Sequence, residues 1–208
     1  MFKAIGHNLA RLGSFSGRDT RETFWPYALT LFGLTAIGCT LSAVPTIVGA
    51  MERMQRFATE HPDQATVTQG PGSYSIQVQG NHPELMPDMH GLTTGMGIMV
   101  LLFVLLTAAA VVRRLHDRGS SGLWALPPVI FLAIDLALMP EVFVPAGNAP
   151  DPSAFLLLFG GNLLYLVSLG WLGFLLARDG TDGPNRYGPD PVPAEVRARR
   201  RLPPAPRR

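Results

Sequence analysis

The chain has 208 residues, 47% of them hydrophobic and only 15% charged, with a mean hydropathy of +0.21. Soluble domains carry roughly 25% charged residues and have no need of apolar runs of about 18 or more, so an ordinary soluble domain is excluded in favour of an integral membrane protein. The net charge is +2, and the single cysteine, Cys39, excludes an internal disulfide and a multi-cysteine metal site.

The chain opens with MFKAIGHNLARLGSF, where Phe2, Ile5, Leu9, Leu12 and Phe15 recur at helical spacing while Lys3, His7 and Arg11 take other faces. This predicts a short amphipathic helix in the membrane interface; the alternative is a helix packed on a soluble domain, and the sequence offers no such domain. The first apolar run begins at about Phe24 and lasts for about 27 residues, too long for the core of a cleaved signal, so the N-terminus is expected to be retained.

Four spans are predicted, at about 25–51, 92–112, 123–143 and 154–177, within one membrane domain covering 1–190. Each is long enough, since about 20 residues at 1.5 Å rise cross 30 Å of hydrocarbon. The third is the least regular, with Pro127, Pro128, Pro140 and an aspartate at 135. Between the first two spans lies a long loop, 52–91. There Tyr74, Ile76 and Val78 alternate with polar residues after a Gly70-Pro71-Gly72 turn signal, which predicts a small β-hairpin. The tail, 191–208, is rich in proline and arginine and reads as disordered.

Every Lys and Arg lies in the N-terminal segment, the second loop or the stretch after the fourth span, except Arg53 and Arg56 in the first loop. The positive-inside rule therefore predicts cytoplasmic termini and an outer first loop. The fold expected is all-α: four transmembrane helices, an interfacial N-terminal helix and an extracytoplasmic hairpin insertion.

Three patches on the cytoplasmic side stand out: FSGRDTRETFW at 15–25, RRLHDRGSSGLW at 113–124 and DGTDGPNRYGPDP at 179–191. If the second helix runs on to Asp117, Arg113 is i,i+4 and Arg114 i,i+3 to that carboxylate. Gly119 can then end the helix left-handed, and Ser120 or Ser121 can cap the next. This accounts for the loop with no ligand. The functional alternative rests on surplus charge: one aspartate does not neutralise Arg113, Arg114 and Arg118 together with Arg18 and Arg21. Arginine forks match phosphate and carboxylate, so the cluster is a candidate seat for an anionic headgroup or a partner's acidic segment.

His116 and Asp117 are adjacent, point about 100° apart on a helix and lack any accompanying catalytic motif, so an enzyme is the least favoured class. The last patch fails calcium-loop spacing at Thr181 and Gly183. It reads better as a turn system in which Asn185 and Tyr187 fold back onto the Arg114–Asp117 region. Asp135 is the sharpest intramembrane feature, because a charge at a span's centre costs about 2.5–3.5 kcal/mol. Asn162, Tyr165, Thr40 and Ser42 are its candidate partners in an interhelical hydrogen bond; the functional alternative is a proton or cation relay.

Together the three patches resemble the bacterial inner-membrane family called domain of unknown function 805. The resemblance falls on Gly17, Arg18, Arg21, Phe24 and Trp25; on Arg113, Arg114, Leu115, His116 and Asp117; and on Gly183, Asn185, Arg186, Tyr187, Gly188, Asp190 and Pro191. The chain departs from the pattern at Thr23, where the family usually has Glu, and at Gly119-Ser120-Ser121-Gly122-Leu123-Trp124, which lacks one cation and one tryptophan. The long outer loop reads as an insertion. The resemblance implies fold and location but no activity.

The expectation is thus a non-enzymatic interaction or regulatory module of the bacterial inner membrane. Its basic face, built from Arg18, Arg21, Arg113, Arg114, His116, Asp117, Arg118, Asn185 and Tyr187, binds anionic lipid or a protein partner. The alternative is a small transporter or channel component using Asp135, as a homo-oligomer. No cofactor, metal or specific nucleic acid is expected.

Overall fold

The computed structural model describes residues 1–143 and 152–192. Among the described residues, five α-helices and one hairpin, with short 3-10 turns at Pro83–Leu85 and Gly122–Ala125, make up the regular elements: α1 (Phe2–Leu9), α2 (Arg21–Glu60), β1 (Ala65–Gly70), β2 (Ser73–Val78), α3 (Met89–Asp117), α4 (Leu126–Phe143) and α5 (Pro152–Ala177). Four helices, α2 to α5, are long and apolar enough to cross a membrane.

The first of these is longer than the apolar run suggests. The 40 residues of α2 carry it past the predicted span to Glu60, so residues 52–60 of the expected loop are helix. At 1.5 Å per residue this is about 60 Å, twice a hydrocarbon core. Glu52 and Arg56 pair at i,i+4 along this polar extension. Thr20 caps the other end, its side chain accepting from the Thr23 amide.

The expected hairpin is present. β1 and β2 pair antiparallel from Ala65↔Val78 to Gly70↔Ser73, around Pro71 and a Gly72 at φ +78°. It leans on the polar extension of α2, where Val67 and Tyr74 lie near Gln55, Ala58 and Thr59.

The helices associate as two pairs, α2 with α3 and α4 with α5. Small residues set the α2–α3 spacing: Gly95 lies against Ser42, and Gly38 against Met99. The packed core gathers at one end, where Phe24, Tyr27, Ala110, Leu115, Leu172, Leu175 and Leu176 meet. Tyr27 donates to the Leu106 carbonyl there at 2.8 Å. Away from that end the helices turn outward residues such as Leu29, Phe32, Ile37, Leu105, Leu156 and Leu163. An apolar exterior of this extent suits hydrocarbon and not water.

At the packed end, α1 lies against α2 with Ile5 on the core and Asn8 buried. Phe2, Leu9 and Phe15 point away from the protein. The helix is shorter than its 15-residue pattern, ending at Leu9 before a turn. The arginines of the Pro/Arg-rich tail, from Arg197 on, lie outside the described residues.

Candidate functional site

The three cytoplasmic-type patches converge on the end of α3. Its last turn is RRLHD, followed by Arg118 and then Gly119 at φ +69°, a conformation that only glycine adopts without strain. Ser121 caps the next turn, accepting from the Leu123 amide at 3.3 Å. The local reading of this loop therefore holds for the Gly119 stop and the Ser121 cap.

The cations divide into two groups. Arg113, Arg114 and Arg18 form the inner group, with side chains 0%, 0% and 1% exposed. Arg113 does not reach Asp117, the partner its i,i+4 spacing suggests. It points to the N-terminal segment, donating to the Asp19 carboxylate at 2.6 Å, the Arg11 and Ser14 carbonyls at 2.9 and 2.6 Å, and Asn8 Oδ1 at 2.7 Å. The Asp19 amide in turn donates to the Arg113 carbonyl.

Arg114 faces the other way. It donates to Asp117 Oδ2 at 2.5 Å, as i,i+3 predicts, and to the carbonyls of Leu176 and Arg178 at the end of α5. Arg18 completes the set from the loop before α2. Its Nε donates to Asp117 Oδ1 at 3.0 Å, and its Nη atoms to the carbonyls of Gly183 and Thr181 at 2.6 and 2.7 Å. Asp117 thus holds one arginine on each oxygen. A carboxylate saturated in this way orders three chain segments, because breaking any link leaves a buried charge unpaired.

Residues 178–190 do fold back as their turn chemistry suggests. Asn185 Nδ2 donates to the His116 carbonyl at 2.9 Å, and its Oδ1 accepts from the Tyr187 amide. The Tyr187 ring stacks on the His116 imidazole, 3.7 Å between centroids and 6° from parallel. The Thr181 amide and hydroxyl both donate to the Asp117 carbonyl. Gly180 is pressed so closely on Asp117 that a Cβ there would collide with the carboxylate.

The outer group of cations stays at the rim. Arg21 is 44% exposed and pairs with Asp179 at 2.5 Å. Arg186 donates to the Gly119 carbonyl at 3.2 Å and lies over the Tyr187 ring. Arg118 donates through Nη1 to the Leu175 carbonyl at 3.0 Å. Burial, and then the like charge of Arg178, hold its guanidinium below the ordinary arginine range. Arg178, exposed, sits over Phe174 at 5.3 Å. Lys3 is also exposed.

Sequence reasoning missed Asp19 and Asn8, the two side chains that complete the Arg113 shell. The signal for Asp19 was available in its place directly after the motif's Arg18. Asn8 carried no signal beyond being the one amide in a helix otherwise apolar or basic.

Asp135 stands apart on α4. It is buried, and neither carboxylate oxygen has a hydrogen-bond partner among the described residues. The expected bond to Asn162, Tyr165, Thr40 or Ser42 is therefore not formed. Thr40 and Ser42 bond instead to carbonyls of their own helix, at Ala36 and Cys39, and Asn162 is exposed. The carboxyl packs on Gly161 of α5, where the missing side chain makes its room.

Comparison with known proteins follows this geometry. A family model described as "Protein of unknown function (DUF805)" matches residues 12–189, and the chain belongs to that family. The match takes in the first two patches, the third as far as Pro189, and the long helices between them. Uncharacterized protein YiiR of Escherichia coli K12 is 36% identical over 95 residues, as is its counterpart in Escherichia coli O157:H7. Each alignment covers 44% of this chain and 57% of the relative, so the chain spans little more than half the length of those relatives. No solved structure matches the chain.

Proposed function

We propose that this member of the DUF805 family is a non-enzymatic interaction or regulatory module of the bacterial inner membrane, whose basic cytoplasmic face binds anionic lipid headgroups or a protein partner. The chain crosses the bilayer four times, with both termini inside and the hairpin outside. The distribution of Lys and Arg supports this orientation, since only Arg53 and Arg56 fall on the hairpin side.

One observation carries the reading: a buried, saturated arginine–aspartate core surrounded by a rim of cations that reach the surface. Arg18, Arg113 and Arg114 have their donors taken by Asp19, Asp117, Asn8 and backbone carbonyls. They serve as the scaffold of the face. Its contact surface is Lys3, Arg21, Arg118, Arg178 and Arg186. The occupation of Asp117 by two arginines and of the His116 ring by Tyr187 also favours a binding role over acid–base chemistry.

Native mass spectrometry of the full chain released from nanodiscs of native lipid tests the reading. Retention of anionic lipid over zwitterionic lipid, or of a co-purifying acidic segment, is expected. Retention of neither refutes it.

A second reading has its own observation. The buried Asp135 carboxyl, lacking any hydrogen-bond donor among the described residues, favours a transporter or channel component in which it carries a proton or cation. Flux through proteoliposomes that survives Asp135→Asn unchanged would remove it.

A further inference from the structure

We propose that Arg118 and Arg178, beside the aromatic wall of Trp124, Trp171 and Phe174, form a seat for the phosphate of an anionic phospholipid. The inference rests on the reading of the basic face given above and selects one place on it.

The choice begins with which cations remain available. The inner arginines are withdrawn from solvent. Arg21 is engaged by Asp179, and Arg186 lies folded onto Tyr187 and Gly119. Among the described residues, Arg118 donates through Nη1 to the Leu175 carbonyl and Arg178 lays its face on the Phe174 ring.

The electrostatics point the same way. The charged group acting on Arg118 is Arg178, a like charge. Both guanidiniums are anchored on the last turns of α5, Arg118 on the Leu175 carbonyl and Arg178 over the Phe174 ring, and an anion held between two such like charges converts their repulsion into charge-assisted hydrogen bonds. Phosphate oxygens match the guanidinium fork.

The surroundings decide between a free anion and a lipid. Trp124 meets Trp171 edge-on at 6.2 Å, and Trp171 stacks on Phe174 at 5.5 Å. All three are about half exposed, and Leu123 beside them is 69% exposed. Tryptophans at the end of a span sit at headgroup depth, with acyl chains on their apolar side. A soluble phosphate gains nothing from that wall; a diacylglycerol phosphate lays its glycerol and first methylenes along it.

The test uses the full chain in detergent, titrated with phosphatidylglycerol against phosphatidylcholine and read by native mass spectrometry. The parent is expected to retain phosphatidylglycerol selectively. Arg118→Gln with Arg178→Gln is expected to lose that occupancy by roughly tenfold to thirtyfold, the loss of two interfacial cations. Arg53→Gln with Arg56→Gln, which removes two cations on the hairpin side, is expected to retain it. If the first pair keeps the lipid while Arg21→Gln with Arg186→Gln loses it, this seat is wrong and the basic face still binds lipid elsewhere. If no form prefers phosphatidylglycerol or any acidic partner, both readings fall. Displacement of the lipid by millimolar inorganic phosphate would make the site one for a free anion and overturn the proposal. A readout independent of any variant is quenching of tryptophan emission in the parent by phosphatidylglycerol with brominated chains. Quenching no stronger than by brominated phosphatidylcholine overturns the proposal too.

Discussion

Arg113 and Asp19 lie 94 residues apart in sequence and meet at 2.6 Å, with their side chains 0% and 2% exposed. The pair fixes the N-terminal segment to the end of α3. Removing one partner leaves the other charge buried and unpaired, which costs about 3–5 kcal/mol. Asp19→Ala is therefore expected to lower the unfolding midpoint of the purified protein sharply. Asp19→Ala combined with Arg113→Met should recover much of the loss, since no orphaned charge remains. A single variant that melts with the parent would show that the N-terminal segment does not depend on this pair.

Gly180 offers a test of the opposite attachment, between residues 178–190 and Asp117. A methyl group at Gly180 would run into the Asp117 carboxylate that Arg18 and Arg114 share. Gly180→Ala must therefore displace either the carboxylate or the segment, at a cost of about 1–3 kcal/mol. Amide exchange over 178–190 is expected to quicken, while exchange at the centre of α3 holds. Unchanged protection in the segment would mean that it is not seated on Asp117. Tyr187→Ala, which removes the stack on His116, is expected to loosen the same amides, whereas Tyr187→Phe keeps the ring and should not.

These attachments mark how far the sequence could be read. The four long apolar helices were legible because apolar runs of that length report directly on such helices. The Arg114–Asp117 pair, the Gly119 stop and the Ser121 cap were legible because each depends on spacing within a few residues. The fate of the surplus charge was not. Counting arginines against one aspartate ignores backbone carbonyls, and it is the carbonyls of Arg11, Ser14, Leu176, Thr181 and Gly183 that take most of the remaining donors. Those acceptors are the free ends of helices and turns, invisible as residue types. The length of α2 was hidden for a related reason: Glu52, Arg53, Gln55, Arg56, Thr59 and Glu60 make its last turns polar, so the apolar run ends while the helix continues.

Orientation gives a prediction that needs only accessibility. In a Cys39→Ser background, Ser75→Cys lies on the exposed hairpin and Ser16→Cys on the basic end. A membrane-impermeant maleimide is expected to label the first on intact spheroplasts and the second only after lysis. Labelling in the reverse order would invert the topology and place the basic face outside.

Asp135 and Gly161 make the last prediction, because they separate a structural carboxyl from a working one. Neither oxygen of Asp135 has a donor among the described residues, and the side chain fits only because Gly161 has none. A polar group buried in this state costs stability, so Asp135→Ala is expected to leave the unfolding midpoint unchanged or raise it. Gly161→Ala is expected to lower it, by forcing the carboxyl and α5 apart. A clear loss of stability in Asp135→Ala would mean that the carboxyl holds α4 and α5 together through a partner of its own. If stability is unharmed and growth or flux suffers, the residue is retained against its cost in stability, as a group that binds a proton or cation would be.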